Sequence, residues 1–408
     1  MERLTTTVCI AGGGPAGMML GLLFARAGIP VVVLEKHRDF FRDFRGDTIH
    51  PSTIDLMDQL GLRSAFAAVP QSRVDRLDAV VNGTRINPIN FRLLLRGARY
   101  LALMPQWDFL DLLATAAREL PDFRLIMEAE ATDLLRDGDR VTGVTAQTAD
   151  GPLEVAAELT IAADGRSSTL RAASGLPVTE FGVPIDVLWF RLPRPAVTPR
   201  DTLGYLTQKT MLVTIPRTDY FQTALLIAKG SFDAVRARGL ENFRAIIAEA
   251  APFLESVVHE LTSWDDVKLL SVQINRLDRW HLPGFLAIGD AAHAMSPAFG
   301  VGINYAIQDA VATANLLVPA LRRRSLTEAD LASVESRRAR PARRMQAIQL
   351  RLHTVVARPG GAAAIPSPLP GLVRVLLAIA VPPFRLVTAH LIGRGFRPER
   401  ISRDVLGK

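Results

Sequence analysis

The chain has 408 residues, 49% hydrophobic and 22% charged, with a formal net charge of +7. That balance fits a globular protein with a sizeable core and excludes a disordered or low-complexity chain. The lone Cys9 excludes a disulfide framework and a cysteine-based metal site, and it suits a reducing compartment, so a cytoplasmic location is expected.

In chain order, Thr7 to Ala11 reads as a short buried strand, followed by the turn Gly12-Gly13-Gly14-Pro15-Ala16-Gly17, a helix over Pro15 to Ala27 and a strand over Pro30 to Leu34. The glycines and Pro15 interrupt the apolar run Val8 to Leu23, so it is read as a βαβ unit and not as a leader. In such a unit Gly12 permits the tight turn, Gly14 lets backbone approach a pyrophosphate, and Gly17 lets helix and strand pack closely. The helix start offers free N–H groups and a positive dipole end, and Glu35 closes the second strand where an acid can accept hydrogen bonds from a ribose.

Helices are predicted over Thr53 to Gly61 and Gln106 to Glu119, then a hairpin within Phe123 to Thr148 that turns at Arg136-Asp137-Gly138-Asp139. A strand over Glu158 to Ala163 runs into Asp164-Gly165-Arg166-Ser167-Ser168, which alone reads as a turn. From Pro177 to Trp280 the pattern becomes strand-rich (Asp186 to Leu192, Thr210 to Pro216, Thr223 to Lys229), with a helix near Leu240 to Ala251. A strand over Gly284 to Ile288 then leads into Gly289-Asp290-Ala291-Ala292-His293 and Ser296-Pro297-Ala298-Phe299-Gly300-Val301-Gly302-Ile303-Asn304, which opens a long helix over Gly300 to Leu321. An acid at a strand end can bind a polyol hydroxyl, and glycines before a helix let backbone lie against a flat ring. In the tail, Arg374, Pro382, Pro383 and Arg385 break the apolar stretch Leu372 to Ile392, short of the about 18 residues a spanning helix needs.

These motifs, in this order, resemble the group A flavoprotein aromatic hydroxylases typified by para-hydroxybenzoate hydroxylase, over roughly residues 5 to 345. The resemblance implies an α/β fold: a Rossmann-like FAD-binding domain of glutathione-reductase type (1–176 and 281–345), an interleaved mixed-sheet substrate domain (177–280, with 70–105 contributing) and a C-terminal helical extension (346–408). It implies that Gly12, Gly14, Pro15, Ala16, Gly17, Glu35 and Lys36 hold the ADP half of FAD, that Arg45 and Gln106 approach the cofactor, and that Asp164 serves both FAD and NAD(P)H. Gly289 and Asp290 would hold the ribityl chain, with Pro297, Gly300, Gly302, Ile303 and Asn304 beside the ring. The implied activity is hydroxylation of an apolar aromatic or polycyclic small molecule by NAD(P)H and O2, through a flavin hydroperoxide.

No protein acid or base is assigned. His50 and His293 are candidates by position only, and a structural role is the simpler reading. The seven histidines show no ligand spacing, so no metal is expected. The substrate is expected against the middle sheet, whose strands carry Trp189, Phe190, Leu212, Leu225 and Ile227, although alternation alone does not say which face the cavity.

A halogenase is disfavoured because Trp107, Trp189, Trp264 and Trp280 form no Trp-x-Trp pair. A flavin-linked reductase or desaturase of an isoprenoid-like substrate stays open. So does a non-catalytic flavin-binding partner whose arginine-rich C-terminal region docks an acidic protein or touches an anionic membrane peripherally. The arginine clusters Arg322 to Arg324 and Arg337 to Arg344 lack interleaved aromatics and read as solvated helix faces, so nucleic-acid binding is not expected. Oligomeric state is not read from the sequence.

Overall fold

The computed structural model describes residues 2–41, 48–199, 202–207, 210–217, 219–356 and 383–407. Among them, an eight-stranded sheet is built on β1 (Glu2–Ala11). β1 runs parallel to Gly151–Ala162 on one side and to β2 (Val31–Leu34) on the other. The parallel set extends outward to Phe285–Ala287 and Phe123–Ile126. Val8, Cys9 and Ile10 are wholly buried, as a central parallel strand covered on both faces requires. The hairpin Glu130–Asp137 and Arg140–Thr148 pairs antiparallel onto Gly151–Ala162, turning at Gly138 and Asp139.

Helix α1 (Pro15–Arg26) buries every residue from Ala16 to Ala25. A helix apolar all round belongs in the interior, and this one is enclosed by the sheet and by the helices Gln106–Arg118 and Gly302–Arg322.

A seven-stranded sheet forms the second layer, ordered Lys268–Leu270, Ile185–Pro193, Tyr220–Ala228, Met211–Pro216, Thr202–Leu206, Arg76–Val81 and Thr84–Asn90. Residues 76–90 thus join the sheet formed by the middle of the chain. Phe190, Leu212 and Leu225 pack on the face covered by Phe243 and Ile247 of the helix Leu240–Ala250. Trp189 and Val213 point the other way, packing against clusters that hold Ile215, Phe91 and Ile392 on one side and Val187, Val272 and Ile274 on the other. Of the five side chains considered as a substrate wall, only Trp189 therefore faces away from that helix. Phe190, Leu212, Leu225 and Ile227 belong to the opposite cluster.

The helix Glu328–Val356 crosses residue 345 unbroken. Beyond it, residues 383–393 are helical and lie along Thr84–Asn90: Thr388 Oγ1 donates to the Pro88 carbonyl at 2.6 Å and Arg385 Nε to that of Asn87 at 2.8 Å. Asn315 then secures the end of the chain, donating to the Arg400 carbonyl at 2.7 Å and accepting from the Ser402 amide at 2.8 Å. Among the described residues no helix is long and apolar enough to cross a membrane. The upstream part of the apolar tail, residues 372–382, lies outside the described residues.

Candidate functional site

The glycine turn follows from its packing. Gly12 has φ +105°, and a Cβ there would lie 2.4 Å from the Ala163 carbonyl oxygen; a Cβ on Gly17 would lie 1.9 Å from the Gly12 carbonyl oxygen. Neither position admits a side chain. A Cβ on Gly14, by contrast, would meet nothing within 4 Å. Gly14 caps α1 without any side-chain hydrogen bond, so the first N–H groups of this buried helix face open space. Glu35, 8% exposed, accepts from the Gly13 amide at 2.9 Å and from the His37 amide at 3.1 Å, which binds the acid to the turn. Lys36 points outward to Glu130 at 3.7 Å. Arg45 lies outside the described residues.

The Gly-Asp turn meets α1 directly. Gly289 has φ +59°, and a Cβ there would lie 3.3 Å from Ala16 Cβ and 3.2 Å from Ala306 Cβ. The first turn of α1 and the second turn of the helix Gly302–Arg322 therefore close on Gly289, with Asp290 next in the chain. The second helix is also uncapped by any side chain and has no acid in its first turn. Asp290 Oδ1 lies 4.0 Å from where a Gly302 Cβ would be, and Arg166 Nη2 lies 3.6 Å from Asp290 Oδ2. Arg166 was not singled out from the sequence; its place after the Asp-Gly turn is the only signal there.

Asp164 holds its own segment together. Its carboxylate accepts from the Ser168 hydroxyl and, at 3.2 Å, from the Leu170 amide, while Ser168 caps the short helix Thr169–Ser174 by accepting from the Arg171 amide at 2.9 Å. Burial raises its pKa. Arg171 clasps this segment to the third motif, donating to the Arg166 carbonyl at 2.5 Å and to the Ala291 carbonyl at 3.3 Å. Gln106 opens its helix, half-buried, behind Pro105.

Asn304 is 4% exposed and spends its amide on structure. Its Oδ1 accepts from the His50 amide at 2.9 Å and from Thr53 Oγ1 at 2.7 Å; its Nδ2 donates to the carbonyls of Thr48 at 3.2 Å and Gly300 at 3.4 Å. What the Gly302–Asn304 turn can offer a ligand is backbone. Ile303 and Pro297 are half-buried beside it. Phe299 takes φ +65° and Gly300 φ +62°, and a Cβ on Gly300 would strike Thr48 Oγ1 at 2.1 Å. A left-handed phenylalanine is uncommon and marks a constrained turn.

Both candidate histidines are buried. His50 Nδ1 lies 2.7 Å from the Ile392 carbonyl, which only accepts, so Nδ1 carries the proton. Burial pushes its pKa down to about 4, leaving it neutral near pH 7. His293 Nε2 donates to Asp309 at 2.6 Å, and the same carboxylate accepts the Gly289 amide at 3.1 Å. Arg338, 1% exposed, completes the group with Nε 2.9 Å from Asp309 Oδ1 and Nη1 3.4 Å from Glu399. The arginine cluster 337–344 is thus not only a solvated face: Arg338 is an interior cation between two carboxylates. Among the described residues no group of His, Cys, Asp and Glu is arranged to hold a metal.

The residues fit FAD. Two uncapped helix starts, an open position at Gly14 and an acid at each strand end supply donors for a pyrophosphate and acceptors for ribose and ribityl hydroxyls. The family model described as "FAD binding domain" matches residues 5–348. The 6-methylpretetramide 4-monooxygenase of Streptomyces rimosus is 33% identical over 353 residues, covering 85% of this chain and 84% of that protein. A flavin-dependent monooxygenase of Mycobacteroides abscessus is 27% identical over 74% of this chain, which spans 65% of its length. The fold matches the structure of the anhydrotetracycline hydroxylase OxyS from Streptomyces rimosus with TM-score 0.74 at 24% identity, over 96% of this chain and 76% of that one. With its glycine turn, Gly-Asp turn and the uncapped start of the helix Gly302–Arg322 in one site, the chain belongs to the FAD-binding-domain family of flavin-dependent monooxygenases.

Proposed function

We propose that this monooxygenase hydroxylates a tetracycline-type, fused-ring aromatic molecule, with NAD(P)H as reductant. The balance is substrate–H plus O2, NAD(P)H and a proton to substrate–OH, water and NAD(P)⁺. FAD, when bound, supplies the redox chemistry between NAD(P)H and dioxygen.

In this reading the chain's residues bind, orient and exclude water. Gly12, Gly14 and Gly17 with the α1 N-terminus take the pyrophosphate, and Glu35 the adenosine ribose. Asp290, with Arg166 at 3.6 Å, takes the ribityl hydroxyls. Backbone N–H groups of Gly302, Ile303 and Asn304 and the helix dipole behind them favour negative charge at the pyrimidine edge of the ring. Gln106, at the start of its helix, contacts the cofactor in this reading, and Asp164 acts by holding its turn. The face of the seven-stranded sheet that carries Trp189 and Val213 forms an apolar wall for the substrate. No described side chain is assigned as a proton donor to substrate. The cytoplasmic location belongs to the same reading, with Cys9 buried as a free thiol.

The observation that carries the proposal is Gly289, closed between the first turn of α1 and the second turn of the helix Gly302–Arg322, both helices uncapped, with Asp290 beside it. Substrate class rests on the names of the relatives, 6-methylpretetramide 4-monooxygenase and anhydrotetracycline hydroxylase. The test is NAD(P)H oxidation by FAD-loaded protein with a panel of fused-ring phenols, read by mass spectrometry. A product heavier by one oxygen atom supports the proposal. Reduction of the panel compound without oxygen uptake replaces it with a reductase.

A further inference from the structure

The helix Glu328–Val356 buries a polar face where a helix of this composition would ordinarily bury an apolar one. Gln346 and Gln349 are 0% exposed and His353 is 3% exposed, all on one side of the helix by their spacing of three and four residues. Most of their partners lie in the turn between Asp290 and Gly302, with the Asn275 carbonyl beside it. Gln349 Oε1 accepts from the Ser296 amide at 3.2 Å, while its Nε2 donates to the carbonyls of Ser296 at 3.0 Å and Ala298 at 3.1 Å. Gln346 Nε2 donates to the carbonyls of Ala294 and Asn275, both at 2.9 Å. His353 Nε2 lies 2.7 Å from Ser296 Oγ, which in turn accepts the Ala298 amide at 3.1 Å.

Backbone bonds from Asn275 and Leu277 reach only as far as Ala292 and Ala294; at Ser296 and Ala298 the side chains of the helix take the place of a neighbouring strand. Pro297 has no N–H, so the grip falls on its neighbours Ser296 and Ala298. Both carboxamides would be left with unpaired buried groups if the turn moved, and so would the turn if the helix moved. A one-residue slip of the helix would lose all of these bonds together.

We propose that Gln349 is a positioning residue for the hydroxylation, with Gln346 and His353 as its partners: the long helix moulds the ring-side turn before FAD arrives. The proposal rests on the assignment of that turn to the flavin ring. It adds that the cofactor meets a preformed surface, so that Pro297 and Phe299 hold their places by protein contacts alone.

The test is amide hydrogen exchange across residues 294–300, in FAD-free and FAD-loaded protein, with β1 as the internal reference. The turn is expected to be protected already in the FAD-free wild type. Gln349→Met, and independently Gln346→Met, should raise exchange there by about tenfold while leaving β1 unchanged. In the FAD-loaded variants the visible circular dichroism of the flavin should change shape. His353→Gln, which keeps a donor for Ser296, should retain wild-type exchange. A turn unprotected until FAD binds overturns the proposal whether or not the variants fold, as does wild-type exchange and flavin dichroism in both methionine variants. If FAD is not taken up at all, the functional assignment fails, yet the exchange of the FAD-free protein still decides whether the helix moulds the turn.

Discussion

The side-chain oxygen of Asn304 accepts the His50 amide at 2.9 Å, tying the first turn of the ring-side helix to a segment 254 residues earlier in the chain. Thr53 donates to the same oxygen at 2.7 Å. Asn304→Ala leaves both donors and two carbonyls without this partner. Stability should fall by about 2 to 4 kcal/mol, because buried groups lose bonds they cannot replace with water. Urea unfolding of the FAD-free protein measures this; an unchanged midpoint would show that the amide is not the tie.

Two glycines three residues apart, Gly14 and Gly17, should behave oppositely. Gly17→Ala drives a Cβ to 1.9 Å from the Gly12 carbonyl oxygen and should destabilise the protein outright, by about 1 to 3 kcal/mol or more. Gly14→Ala meets nothing within 4 Å, so the FAD-free protein should melt as the wild type does. FAD affinity should nevertheless drop by about tenfold or more, since in the proposed site the methyl group obstructs the approach of the pyrophosphate. Thermal melts and FAD titrations of the two variants separate the effects.

His50 makes stability depend on pH. Its pKa is pushed down by burial from 6.5 to about 4, so below pH 6.5 the unfolded chain binds a proton that the folded one refuses. The stability it contributes is therefore full above pH 6.5 and is lost as pH falls toward about 4, amounting to about 3 kcal/mol across the window. His50→Asn, which keeps a donor for the Ile392 carbonyl, should flatten this part of the profile. Denaturant midpoints between those pH values, wild type against variant, give the comparison; parallel curves would refute it.

The buried group around Asp309 should couple strongly. Removing either Asp309 or Arg338 leaves its partner charged in the interior, costing about 3 to 5 kcal/mol. Asp309→Asn combined with Arg338→Met should cost less than the two separate losses together. A double-mutant cycle on unfolding free energies tests it, and strict additivity would contradict the pairing.

How much of this was legible depended on distance along the chain. The glycine turn, the hairpin at Gly138 and Asp139 and the Gly-Asp turn are local, so residue type and spacing carry them. Trp189 and Phe190 are adjacent and both apolar, because one face of their sheet meets the helix Leu240–Ala250 and the other meets further apolar clusters. With both faces apolar, no polar alternation remains to tell them apart. Arg338, Gln346 and Gln349 look like the wet side of an amphipathic helix. Their partners, Asp309, Glu399 and the Ser296 backbone, lie far away in sequence, so nothing near them signals burial. Asp164 shows the reverse case: its carboxylate holds the turn that sequence alone suggests, binding the capping Ser168 and the Leu170 amide.

The proposed function rests on one FAD gripped by the glycine turn, the Gly-Asp turn and the start of the helix Gly302–Arg322. Titration of FAD into the purified FAD-free protein, followed by flavin fluorescence and repeated with Asp290→Ala and Gly14→Ala, tests that grip directly. Saturation at a single FAD per chain, with both variants weakened and their folding intact, is the predicted result. Absence of saturable uptake by the folded wild type, or uptake indifferent to both substitutions, would contradict it.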